Sequence, residues 1–185
     1  MKLLVIIDMQ NDFIDGTLGS DAAKAIVPNV VKKIEEADKD TIIIFTKDTH
    51  FSDYDCTLEG KLLPVKHCLY NSDGWYINKA VMTAWFKDGI IEVNDAEFRE
   101  DNTIIKTTFG STQLMNFLAR EGHNFDEVEF CGLDSDICVV SNVLMARAAL
   151  PDMPITVDSS CCAGTTPEAH NAALTVMRSC QINVI

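Results

Sequence analysis

Short, dense runs of apolar residues recur along the chain and each is closed abruptly. They are Leu3 to Ile7, Thr41 to Phe45, Thr103 to Lys106, Val128 to Cys131, Ile155 to Val157 and Ile182 to Ile185. Runs this short and rich in β-branched residues predict strands buried on both faces. Between them apolar positions return every three or four residues: Ile26, Val30, Ile34; Ile77, Val81, Trp85; Leu114, Phe117, Leu118; Ile137, Val140, Leu144; Ala173, Leu174, Met177. That period lays one apolar stripe on each of five helices. The punctuation agrees. Asp21 stands ahead of the first helix and Ser111 ahead of the third, Gly122 closes the third, and Thr166-Pro167-Glu168 supplies cap, first-turn proline and first-turn acid to the last. Strands alternating with helices predict a parallel sheet with helices on both faces, an α/β three-layer sandwich, because parallel neighbours need a crossover helix. No repeat or linker divides the chain, so one domain is expected over residues 1–185. The exception to the pattern is 48–75, too long a stretch without periodicity to lack a role in a compact domain.

Composition narrows the partners. Lysine and arginine total 15 against 28 acids, a net charge of −13, which disfavours nucleic acid and anionic membrane. The run Leu3 to Ile7 is too short for a signal-peptide core or a membrane span, so a cytoplasmic location is expected. The 7 cysteines include no CxxC pair and their number is odd, which predicts reduced thiols. Cys56, Cys68, Cys131, Cys161, Cys162 and Cys180 read as small buried residues, the 161–162 pair at a strand-to-helix turn. His123 on a loop and His170 on a helix surface carry no assigned role.

In open α/β sheets the ligand crevice lies beyond the carboxyl ends of the strands. Asp8 follows the first apolar run, Lys106 ends the third, and Cys138 follows the fourth through Gly132-Leu133-Asp134-Ser135-Asp136. A cysteine at a helix start near a lysine is disposed to form a thiolate, and a carboxylate in reach can shuttle its proton. Each residue taken singly also fits a structural role: a turn-capping acid, an ion-paired lysine, a small core thiol.

The neighbourhoods carry more. Ile6-Ile7-Asp8-Met9-Gln10-Asn11-Asp12-Phe13, Ile105-Lys106 with Phe109, and Gly132-Leu133-Asp134-Ser135-Asp136-Ile137-Cys138-Val139 resemble the isochorismatase-like cysteine hydrolases over nearly the whole chain. The resemblance implies a Rossmann-like fold with six parallel strands and an Asp8, Lys106, Cys138 triad working through a thioester. It implies oxyanion donors at the backbone N–H groups of Asp134 and Cys138. It also implies a cis peptide bond after position 134. Asp134 departs from the small or apolar residue usual there, and its carboxylate is expected to turn away from the pocket.

Within 48–75, Asp48, His50, Glu59 and His67 offer two imidazoles and two carboxylates, a donor set suited to Zn, Fe or Mn. The arrangement resembles the metal loop of the nicotinamidase branch, with an acid, Glu59, in place of the more frequent histidine. The resemblance implies a divalent ion, zinc first, that orients a small amide substrate through its ring nitrogen, with Phe13 and Phe109 as pocket walls. It implies an amidohydrolase that converts nicotinamide, or pyrazinamide, to the acid and ammonia. Family members often self-associate, so a homo-oligomer is expected. The alternatives are hydrolysis of another amide, a ureido compound or isochorismate, and a non-catalytic binding protein of the same fold. A flavodoxin-like nucleotide binder is disfavoured, since Asp8-Met9-Gln10-Asn11 stands where a glycine-rich phosphate loop would.

Overall fold

In the computed structural model, β1 (Lys2–Ile7) lies inside a six-stranded sheet and pairs in parallel with β2 (Ile42–Asp48) on one side and β4 (Glu127–Gly132) on the other. The structure describes residues 1–87 and 102–185; 88–101 lie outside that description. Completing the sheet are β3 (Thr103–Lys106) beside β2, β5 (Ile155–Cys162) beside β4, and β6 (Asn183–Val184) at the far edge, in the order β3-β2-β1-β4-β5-β6. All pairings are parallel. Chain direction in the sheet reverses its advance at β1 and β4, and the crevice forms beyond their carboxyl ends.

Strand positions followed the apolar runs, and the ends moved. β2 continues through Thr46, Lys47 and Asp48, because these polar side chains are buried by neighbours that their sequence does not announce. Asp48 therefore ends a strand instead of opening the long loop. β5 likewise runs on through Cys161-Cys162, which places that pair in the sheet.

Among the described residues two short helices, α1 (Asn11–Ile14) and α3 (Leu58–Leu62), serve the site, and five longer ones flank the sheet. α2 (Asp21–Glu35) packs on α4 (Lys79–Lys87), while α5 (Thr112–Glu121), α6 (Val140–Ala149) and α7 (Pro167–Ser179) form a second group. Ala23, Ile26, Val30 and Ile34 of α2 are buried, as the stripe predicts. The cap of α2 is Ser20, whose Oγ accepts from the Ala23 N–H at 3.0 Å; Asp21 is the first helical residue. Ser111 and Thr166 cap α5 and α7 in the same manner.

The buried face of α6 is displaced from the expected stripe. Ile137, Val140 and Leu144 are only partly buried, and Val139, Val143 and Ala146 face the core instead. The cause is a π-helical turn, Ser135–Val139, which inserts a residue ahead of α6 and rotates the face that follows. All seven cysteines are free; Cys56 is exposed and Cys180 half-buried, so those two are not core residues. Among the described residues no helix is long and apolar enough to cross a membrane.

Candidate active site

Asp8 is the residue at which β1 stops. Its φ is 48°, in the left-handed region that aspartate tolerates better than bulkier residues, so its side chain is redirected beneath the crevice. Thr46 of β2 fixes it there: the Thr46 hydroxyl donates to Asp8 Oδ1 at 2.7 Å, and the Asp8 N–H donates to the Thr46 carbonyl at 3.3 Å. Gly132, at the end of the neighbouring β4, has φ 121° and passes so close to β1 that a Cβ would lie 2.0 Å from the Ile7 carbonyl oxygen. Only glycine allows the nucleophile-bearing turn to start this near Asp8.

Lys106 reaches across β2 from the end of β3. Its Nζ lies 2.7 Å from Asp8 Oδ2, 3.2 Å from Asp48 Oδ1 and 3.4 Å from Cys138 Sγ, and the lysine is 1% exposed. The three residues proposed from strand ends thus meet at one ammonium. Burial opposes its charge, but Asp8, Cys138 and Asp48 outweigh that and hold its pKa well above the usual lysine value. For Asp8 burial is the largest influence and raises the carboxyl; Lys106 opposes it and Asp48 adds to it.

Cys138 is subject to opposing influences on its proton. It sits in the π-helical turn, 5% exposed, and burial pushes the thiol well above its ordinary value. Lys106 pulls it down, while the charges of Asp8 and Asp48 and a hydrogen bond to Asp8 push it further up. Desolvation is thus the largest influence on the thiol, and beside it stands a carboxyl that burial has also raised.

A cavity of about 410 Å³ opens over this group, with Cys138 and Asp48 in its lining and Phe13, Phe109, Leu18, Leu63 and Ile137 among its apolar walls. Phe13 is buried and stacks obliquely on His67 at 5.6 Å between centroids; Phe109 is half exposed at the mouth. Asp134 lines the same cavity. Burial, Asp136 and Asp8 raise its carboxyl to about 7, with His67 working the other way. Raising the pKa relieves the conflict with a nearby oxyanion, since the neutral form carries no charge to repel it. The Asp134 N–H has no acceptor among the described residues, while the Ile137 and Val139 N–H groups both donate to the Asp134 carbonyl. The non-proline cis bond is Leu133-Asp134, one residue earlier than expected, since no proline marks either position.

Asp48, His50, Glu59 and His67 converge at the cavity edge, with one ligand atom from each lying within 4.8 Å of all the others. His50 Nε2 is 2.9 Å from Asp48 Oδ2 and 3.5 Å from Glu59 Oε1, and His67 Nε2 is 3.4 and 3.5 Å from the same atoms. Yet among the described residues buried His50 Nε2 has no hydrogen bond of acceptable direction. Close approach without alignment is what results when lone pairs converge on a shared centre, so these residues fit a divalent cation. Burial opposes protonation of His67, but Asp48 and Glu59 override it and push the imidazole up to about 10. Asp48 is held well below the usual carboxylate range: burial opposes this, and Lys106, His50 and His67 prevail.

Several supporting residues escaped sequence reasoning. Gln10 donates to the Asp48 and Trp75 carbonyls and accepts from the Asp48 N–H at 2.7 Å, tying the loop to β1. Asp12 accepts from the Cys68 N–H at 2.7 Å and so sets the segment bearing His67. The Ser135 hydroxyl pairs with His170 Nδ1 at 2.8 Å, which gives that histidine a place behind the nucleophile turn. Gln10 and Asp12 lie in the opening motif, so a signal existed; Ser135 and His170 are 35 residues apart and had none.

The isochorismatase domain model matches residues 2–185. Nicotinamidase of Saccharomyces cerevisiae is 26% identical, over all of this chain and 99% of that protein. A "probable inactive nicotinamidase" of Arabidopsis thaliana is 29% identical, over 95% of this chain and 87% of that one. The solved pyrazinamidase/nicotinamidase of Streptococcus mutans superposes with a TM-score of 0.81 at 26% identity, covering 100% of both chains.

Proposed function

The chain belongs to the isochorismatase family, and from its site we propose a metal-containing cysteine amidohydrolase that converts nicotinamide, and by the same chemistry pyrazinamide, to the acid and ammonia. The observation that carries the reading is the single ammonium of Lys106 in contact with Asp8, Cys138 and Asp48 at the edge of a cavity sized for a small ring.

Cys138 Sγ attacks the carboxamide carbon as Asp8 takes the thiol proton. Burial suits Asp8 to this by making its carboxylate more basic than an exposed one. The carbonyl oxygen becomes an oxyanion held by the Asp134 and Cys138 N–H groups. Collapse expels the nitrogen, which takes the proton from Asp8 and leaves as ammonia, and the acyl group remains as a thioester on Cys138. Water then attacks the thioester with Asp8 as base, and the acid departs as sulfur regains its proton. Lys106 keeps its charge throughout and balances the negative charge that passes between Asp8 and Cys138. Asp48, His50, Glu59 and His67 would hold a divalent ion, zinc before iron or manganese, which when bound supplies a Lewis-acid contact for a ring nitrogen. Its contribution is orientation of substrate. Phe13 and Phe109 wall the ring.

The names of the yeast and Streptococcus relatives support this substrate class. The Arabidopsis relative, named as inactive, motivates the second reading, a binding protein without turnover. Against it stands the complete Asp8, Lys106, Cys138 group of this chain. The test is ammonia release from nicotinamide, with metal content measured on the same sample. Turnover that vanishes in Cys138→Ala supports the proposal; no release by metal-replete protein, or full activity in that variant, overturns it.

A further inference from the structure

Among the described residues three carboxyl groups border the cavity, and Asp48 and Glu59 belong to the metal-ligating group. The third, Asp134, has no hydrogen-bond or ion-pair partner among the described residues. Its neighbour Asp136 shows what a satisfied carboxylate looks like here, accepting from the Thr165 N–H at 2.8 Å and the Thr165 hydroxyl at 2.6 Å. The lining around it includes the apolar Phe13, Leu18, Phe109 and Ile137, and its two hydroxyl residues do not bond to Asp134: Thr165 donates to Asp136 and the Ser20 hydroxyl accepts from the Ala23 N–H. Its carboxyl feels the charges of both Asp8, in the reacting group, and His67, in the metal-ligating group.

A half-buried carboxyl at the wall of a largely apolar cavity costs free energy until something donates to it. Its raised pKa records how poorly the protein alone compensates its charge. A site built this way discriminates strongly between two ligands that differ by one donor, because the ligand without the donor leaves the carboxyl unpaired.

We propose that Asp134 is a specificity-determining residue that selects carboxamides whose ring carries an N–H donor, such as a ring amine, over unsubstituted nicotinamide. The inference rests on the amidohydrolase reading above and names the substrate class within it.

The test compares kcat/KM for nicotinamide and for each ring-aminated nicotinamide in turn, using the full metal-replete chain as wild type, Asp134→Asn and Asp134→Ala. The readout is the ratio of two substrates within one protein, which partial misfolding of a variant does not alter. Wild type is expected to prefer one aminated ring by about tenfold or more. Asp134→Asn, which keeps an accepting oxygen without the charge, narrows the preference, and Asp134→Ala abolishes or inverts it. Equal ratios in the three proteins, or preference of wild type for nicotinamide over every aminated ring, would overturn the assignment while leaving the amidohydrolase standing. Absence of ammonia release from every amide by wild type would overturn both.

Discussion

At the scale of the residue, the site is governed by how burial and one lysine share out protons. Asp8 and Cys138 are both raised by burial, so the thiol hands its proton to a carboxylate whose basicity has been lifted toward it. Cys138→Ala is expected to lower kcat by at least about 10⁴-fold while nicotinamide binding, read by calorimetry, persists. Thr46→Val tests the carboxylate. The Thr46 hydroxyl lowers the Asp8 pKa by donating to its ionised form. Its removal raises that pKa further, so the acid limb of the kcat/KM profile should move to higher pH; an unmoved or lowered limb would contradict the role of Asp8 as base. Asp8, Lys106 and Cys138 were legible because each stands at a strand end inside a recognisable motif. Thr46 was not, since it lies just past the apolar run that ends at Phe45 and nothing marks it until its neighbour on β1 is known.

Among the elements, the π-helical turn and the loop from β2 carry the specialised geometry. The turn is clamped from behind: the Ser135 N–H donates to the Ala163 carbonyl at 2.8 Å, Ser135 pairs with His170 of α7, and Asp136 holds Thr165. His170→Ala should leave the buried Ser135 hydroxyl unpaired, cost on the order of 1–2 kcal/mol in a denaturant melt, and lower kcat more than it raises KM. The loop makes the opposite prediction. Removing metal with a chelator should raise KM for nicotinamide by about tenfold or more, with kcat changed by only a few-fold, the signature of lost uniform binding. Helix and strand identities were readable from period because each element buries one consistent face. The π-turn was invisible, since one inserted residue changes no composition and only displaces the stripe from Val140 and Leu144 to Val143 and Ala146.

For the whole molecule, the sheet order brings four strand ends to one crevice, and a second charged group secures the layers elsewhere. Glu129 of β4 is buried between Lys2 of β1 and Lys33 of α2, and Lys33 also meets Asp158 of β5 at 2.7 Å. Lys33→Ala leaves buried Glu129 and half-buried Asp158 short of a partner and should cost about 2 kcal/mol, lowering Tm by roughly 4–8 °C. Burial opposes ionisation of Asp158, but Lys33 and Ser160 prevail and hold it below the usual carboxylate range. A lowered carboxyl stabilises the fold at neutral pH and loses that contribution as pH falls toward its folded value. The variant should therefore show a shallower fall of Tm on acidification than wild type. The parallel sheet and its helical layers could be anticipated from alternation alone. The strand order could not, because pairing is a tertiary choice that apolar runs of similar strength leave undecided.

Asp48 has one oxygen turned to Lys106 and the other to the two imidazoles. Whatever tenant the imidazole side accepts, proton or cation, alters how much negative charge is left to steady the ammonium on the other side. The history of a preparation, stripped or replenished, should thus be written into the titration of its sulfur: two samples of identical sequence would behave as different acids.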